Sequence, residues 1–132
     1  MTTTYFLNCI MGNAFQTDTS TSFPTSIYIG LSTTEPSIDG AGVTEPDTDG
    51  GYSRIELTSL SEPADGVISN TDDIVFPEST ESWGTVTHFV IYDAETDGNL
   101  LMYEAFTTAR SIEAATVVMV KSGSLNLVLA NS

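Results

Sequence analysis

The side chains in this sequence most able to do chemistry are carboxylates, and they recur at a spacing that suits a divalent cation. Glu45, Asp47, Asp49, Gly50 and Glu56 fall at positions one, three, five, six and twelve of a calcium-loop pattern. Asp93, Glu95, Asp97, Gly98 and Glu104 repeat that spacing. Calcium takes several hard oxygens converging on one point, so the chemistry is reasonable. The context is not. Both segments lead into strand-forming runs, where a twelfth residue does not curl back as a helix-borne glutamate does. Asp-Gly pairs also form turns with no ion at all. The expectation is therefore no metal and no cofactor, with Glu45, Asp47, Asp49, Asp93, Glu95 and Asp97 as the only candidate cation ligands.

Other chemistries find less support. His88 is the single histidine, and strand alternation sets it on the face of Val86 and Val90. A lone strand histidine is ordinarily packed or hydrogen-bonded, and acid–base catalysis needs a partner and a pocket that the sequence does not show. There is no Gly-x-Ser-x-Gly elbow and no phosphate loop. One histidine and one cysteine, Cys9, are too few for a zinc site. A single cysteine also forbids an intrachain disulfide. Tyr28, Tyr52 and Trp83 are the aromatics that could stack a sugar, although Trp83, next to a strongly apolar strand, is expected to plug one end of a core.

The elements that must position these residues read as β-structure. The centre is Trp83–Phe106, where runs Thr85–Tyr92 and Asn99–Phe106 flank the acidic insert Asp93–Gly98 and predict a β-hairpin. The first run is apolar on both faces, as a covered central strand is. Ser26–Ser32 alternates as a half-buried strand and Tyr52–Leu60 as another. Thr33–Gly51, punctuated by proline and glycine, is a long loop. Val67–Ile68 and Asp73–Phe76 are short strands. Ala115–Lys121 and Ser124–Ala130, joined at Ser122-Gly123, predict a second hairpin, with Leu125, Leu127 and Leu129 on one face. About seven or eight short strands at even spacing predict an all-β antiparallel sandwich, jelly-roll-like, in a single domain over residues 1–132.

The one helix expected is Thr2–Phe15, within an N-terminal helix or arm over 1–16. Tyr5, Phe6, Cys9, Ile10 and Ala14 recur at three- and four-residue steps, a threonine can cap its start, and Gly12 and Asn13 end or weaken it. It either lies over one end of the sandwich or inserts into a neighbouring subunit, which makes Tyr5, Phe6, Ile10 and Phe15 the interface candidates. Thr17–Ser22 follows as a polar loop.

Composition bounds the partners. Eighteen acidic residues against three basic ones give a net charge of −15. Such a surface repels nucleic-acid phosphate and anionic membranes, so neither is an expected partner. No apolar run reaches the ~18 residues of a membrane helix, and the N-terminus lacks a basic secretion signal. A chain made in a cytoplasm and released by lysis fits these features.

Several stretches carry a resemblance. Gly51-Tyr52-Ser53-Arg54, Ile68-Ser69-Asn70, Ile74-Val75-Phe76-Pro77, Trp83-Gly84-Thr85-Val86-Thr87-His88-Phe89, Ile91-Tyr92-Asp93-Ala94 and Gly98-Asn99-Leu100-Leu101 resemble a family of small tailed-bacteriophage structural proteins labelled tail fibre or minor tail protein. The N-terminal helix and Ile27–Pro36 join the resemblance, which spans nearly the whole chain. It implies a β-rich virion component with no enzymatic activity and no cofactor, bound to other virion proteins. The acidity at Glu45–Asp49 and Glu95–Asp97 departs from the family pattern. A symmetric homo-oligomer, with a trimer favoured, is the expectation for such a part in the tail or its fibres. A capsid decoration protein at symmetry axes is the alternative, and a module binding host receptor or surface glycan is the reading from another class.

Overall fold

A computed structural model describes residues 1–18, 20 and 22–128. The predicted strand positions Leu129 and Ala130, and Thr19 and Thr21 of the polar loop, lie outside the described residues. The elements in order are helix α1 (Thr4–Ala14) and strands β1 (Tyr28–Ser32), β2 (Ile55–Glu56), β3 (Val67–Ser69), β4 (Ile74–Val75), β5 (Gly84–Tyr92), β6 (Leu100–Ile112), β7 (Met119–Val120) and β8 (Asn126–Val128), with a 3-10 turn at Thr48–Gly50. The fold is an all-β, sandwich-like one with antiparallel pairing throughout and one short N-terminal helix.

The predicted hairpin is its centre. β5 runs inside a four-stranded sheet of order β2-β1-β5-β6, paired on both sides. β6 is longer than the apolar run suggested and continues to Ile112. Between Val86↔Arg110 and His88↔Ala105 the register shifts, because β6 carries extra residues there. Such a bulge re-aims the side chains beyond it. Val86 accordingly packs with Ile91 in the main core, whereas Val90 packs with Tyr92 in a second cluster. His88 therefore lies on the face of Val90 and Tyr103 and not, as strict alternation predicts, on that of Val86; its ring is 6.5 Å from that of Tyr103.

The second predicted hairpin does not form. β7 pairs with β4 (Ile74↔Val120) and β8 with β3 (Val67↔Val128), so the strands flanking Ser122-Gly123 do not pair with each other. Residues 67–75 run antiparallel to 119–128 as one interrupted ribbon. Asn70 fills the interruption. Its side-chain amide donates to the carbonyls of Asp72 (2.9 Å) and Lys121 (3.0 Å), its side-chain oxygen accepts from the Leu125 N–H (3.0 Å), and its own carbonyl accepts from Gly123 (2.8 Å). A buried asparagine that satisfies the groups a break leaves open stabilises the break.

The main core lies between this ribbon and the four-stranded sheet. Ile29, Leu31, Val86, Ile91 and Leu101 from the sheet meet Ile74, Phe76, Val120 and Leu125 from the ribbon. Tyr52 and Trp83 sit edge to face at 5.4 Å within it. The other face of the sheet is covered by the 33–51 loop, whose Val43 packs on Val90, Tyr92 and Leu100. β1 is thus buried on both faces rather than half-buried, with Gly30 and Ser32 as enclosed as Ile29 and Leu31. Of the predicted strand Tyr52–Leu60 only Ile55–Glu56 pairs regularly, opposite Ile29 and Tyr28. α1 begins two residues later than its pattern and runs through Gly12. Thr3 caps it, accepting from the Phe6 N–H (3.3 Å) while donating to the β6 carbonyl of Leu100 (2.7 Å). Among the described residues no helix is long and apolar enough to cross a membrane.

Candidate functional site

The best-developed polar constellation is built around Arg54. The chain enters β2 through Tyr52-Ser53-Arg54, and the buried Arg54 side chain reaches Glu45 of the 33–51 loop. It donates from Nε to Glu45 Oε2 (3.0 Å) and from Nη2 to Glu45 Oε1 (2.6 Å), a two-pronged pairing that matches the planar fork of arginine to a carboxylate. Nη1 donates to the carbonyls of Ala94 and Asp97, each at 2.8 Å. The guanidinium carbon lies 3.6 Å from the centre of the Tyr92 ring, within cation–π range. Tyr52 completes the group: its hydroxyl donates to Glu45 Oε2 (2.5 Å) and accepts from the Leu31 N–H (3.0 Å). Gly30 makes room for it, since a Cβ there would collide with the Tyr52 hydroxyl and sit 3.0 Å from Glu45 Oε2.

Electrostatics follow from burial. Desolvation opposes the Arg54 charge, but the hydrogen bonds and negative charge of Glu45 outweigh it and hold the guanidinium's pKa above its usual value. Burial first, and the Glu45 charge second, push the Tyr52 phenol far above the ordinary tyrosine range. Tyr92 is raised by the same two causes, with Arg54 opposing. Four donor–acceptor contacts occupy Arg54, and both oxygens of Glu45 are taken. The arrangement engages its polar groups with one another. It is a clasp that joins the 33–51 loop, the start of β2 and the β5–β6 turn.

The clasp redistributes the predicted cation ligands. Glu45 is bound to Arg54. Asp47 caps the 3-10 turn, accepting from the Asp49 N–H (2.9 Å). Asp93 closes the hairpin turn, taking the Asn99 N–H (2.7 Å) and side-chain amide (3.1 Å). Asp97 adopts a left-handed φ of 54° that aims its carbonyl at Arg54. Glu95 and Asp49 are exposed. Of the two twelfth positions, Glu56 is exposed on β2, and Glu104 on β6 lies 3.5 Å from the Met1 amine. Among the described residues no three or more His, Cys, Asp or Glu side chains are grouped to hold a metal.

Two of the three sugar-stacking candidates are withdrawn by burial. Tyr52 and Trp83 are core residues, and the Trp83 indole N–H donates to the Gly50 carbonyl (2.8 Å), as a core plug that keeps its polar edge satisfied should. His88 bonds through Nδ1 to the hydroxyl of its neighbour Thr87 (2.8 Å). The small, partly open pocket between β8 and the β5–β6 pair, lined by Phe89, Ile91, Met102, Leu125 and Leu127 among others, measures about 10 Å³, room for a single water at most.

The helix candidates divide. Phe6 is half-buried against the main core and Ile10 is half-buried, whereas Tyr5 and Phe15 are exposed. The sequence reading passed over Leu7 and Met11, both exposed. The signal available was their four-residue step toward Phe15.

Tyr52, Arg54, Tyr92 and Ala94 of the clasp lie in the segments that carry the phage resemblance, whereas Glu45 and Asp97 lie in the acidic stretches that depart from it. Comparison with known proteins agrees. The family model described as Podophage GP4 fiber I protein gp80 matches residues 1–128. No curated protein matches the sequence. The chain belongs to that family, one of phage fibre structural proteins.

Proposed function

We propose that this chain is a structural part of the tail or tail fibres of a tailed phage, holding its place through contacts with other virion proteins and with further copies of itself. Membership in a fibre family over 128 of 132 residues carries the reading. Made in the host cytoplasm, it would leave the cell with the particle on lysis. The work of such a part is mechanical. It must keep one shape while exposed to solvent, and the clasp serves that need by tying a 19-residue loop, 33–51, to the sheet through a buried arginine. The −15 charge keeps the remaining surface solvated and discourages indiscriminate association. A symmetric homo-oligomer, a trimer by preference, is the arrangement proposed.

Quantitative mass spectrometry of purified particles tests the placement. A few copies per virion fit a tail or fibre part. A copy number near that of the major capsid protein would instead make the chain a decoration protein of the shell.

A further inference from the structure

The cationic half of the clasp is held in place without Glu45. The Arg54 guanidinium is fixed by the Ala94 and Asp97 carbonyls, each 2.8 Å from Nη1, and by the Tyr92 ring, whose centre lies 3.6 Å from the guanidinium carbon. Tyr52 is fixed between Phe76, stacked at 6.4 Å, and Trp83, edge-on at 5.4 Å. Its hydroxyl accepts the Leu31 N–H (3.0 Å), which leaves its own hydrogen turned to Glu45 Oε2. Three donors, Arg54 Nε, Arg54 Nη2 and the Tyr52 hydroxyl, therefore converge on one planar, two-oxygen anion, and none of them belongs to the 33–51 loop. Gly30 keeps the space open, since a Cβ there would lie 3.0 Å from Glu45 Oε2.

Glu45 joins this site from the solvent side. Its side chain is 22 % exposed, whereas that of Arg54 is 6 %. The loop beside it has holds of its own: the Thr44 N–H donates to Ser32 Oγ (3.1 Å), and the Thr44 carbonyl accepts from the Thr33 N–H (2.9 Å). With the Glu45 side chain withdrawn, a buried guanidinium faces a carboxylate-sized space with no counter-charge, a condition that strongly favours taking up an anion. We propose that Arg54, Tyr52 and Tyr92 form a carboxylate-binding site, that Glu45 is its tethered ligand, and that the site takes a free carboxylate when Glu45 is removed. The ligand class follows from the donors. Two parallel N–H groups of a guanidinium match the two oxygens of a carboxylate, and a monatomic anion such as chloride cannot bridge them in that way.

Acetate is the probe. Urea denaturation of the full-length Glu45→Ala chain at neutral pH is compared in sodium acetate and in sodium chloride, each at about 0.5 M so that screening is equal. A carboxylate held with a dissociation constant of about 0.1 M raises the folding equilibrium constant about sixfold at that concentration. A rise of this size is expected in Glu45→Ala, over and above the general effect of the salt on wild type, whose site is already filled. It should vanish in Arg54→Met/Glu45→Ala and shrink in Tyr52→Phe/Glu45→Ala. Glu45→Gln, whose amide occupies the space, should behave as wild type. Should Glu45→Ala be unfolded in both salts, Glu45→Ser, which leaves the same space open, takes its place in the comparison. No difference between acetate and chloride beyond that of wild type, or a response that survives the loss of Arg54, would overturn the inference.

Discussion

Replacing Glu45 by alanine should cost this fold far more than a half-exposed loop glutamate ordinarily does. The substitution strips Arg54 of two charge-assisted hydrogen bonds, at 2.6 and 3.0 Å, and the Tyr52 hydroxyl of its acceptor. Hydrogen bonds to charged groups contribute roughly 1.5–3 kcal/mol each, so the gross loss over the three is about 4.5–9 kcal/mol. The Glu45 side chain is 22 % exposed, and water entering its place recovers part of that. The Arg54 side chain, 6 % exposed, cannot move into solvent without dragging the Ala94 and Asp97 carbonyl contacts with it. A net loss of about 3 kcal/mol follows, consistent with the cost of breaking a buried pair from one side. In a domain of this size that lowers the melting temperature by roughly 10 °C. Urea denaturation followed by the fluorescence of Trp83, the single tryptophan, measures it. The companion Arg54→Met, Glu45→Leu double variant removes both charges and should recover a large part of the loss, giving a coupling energy well above the error. A Glu45→Ala variant within about 0.5 kcal/mol of wild type, the range of an ordinary surface change, would refute the clasp as a stabilising device.

Three further outcomes follow from the same geometry. Gly30→Ala should lose about 1–3 kcal/mol by overpacking, because the new Cβ strikes the Tyr52 hydroxyl and lies 3.2 Å from Val90 Cγ2; thermal melting checks it. Stability should fall at alkaline pH. The folded state holds the Tyr52 and Tyr92 phenols neutral above their ordinary value of 10.0, so their contribution is complete below about pH 10 and is lost as pH rises through that value, where the unfolded chain ionises first. Denaturation at pH 8, 10 and 11 reads the slope, and Tyr52→Phe should flatten it. Adding a calcium chelator should leave the melting temperature unmoved, since Glu45, Asp47 and Asp93 are engaged by protein groups; a downward shift would restore the acidic loops as cation sites.

Local pattern made much of the fold readable. β5 was recognisable because its run is rich in β-branched and aromatic residues and largely apolar on both faces, and β6 because it follows an acidic turn ending in Gly98. The ribbon was not, because Ser122-Gly123 is an equally good turn whether or not its flanks pair. Their true partners, β4 and β3, lie roughly fifty residues away, and Asn70 decides the matter by bonds that no local pattern encodes. The bulge in β6 defeated alternation at His88 for a similar reason. The clasp was half legible. Glu45 stood out as a carboxylate, but read as a cation ligand, because the cation it serves is a side chain nine residues on and the remaining acceptors are carbonyls forty and more residues away. On α1, apolar periodicity marks two faces, and only the packing shows that Phe6 and Cys9 turn inward while Leu7 and Met11 stay out.

The most direct test is an image reconstruction of the virion at a resolution that traces this chain. The account predicts its density in the tail or its fibres, with copies related by rotational symmetry. Density on the capsid shell, or none anywhere on the particle, would contradict it.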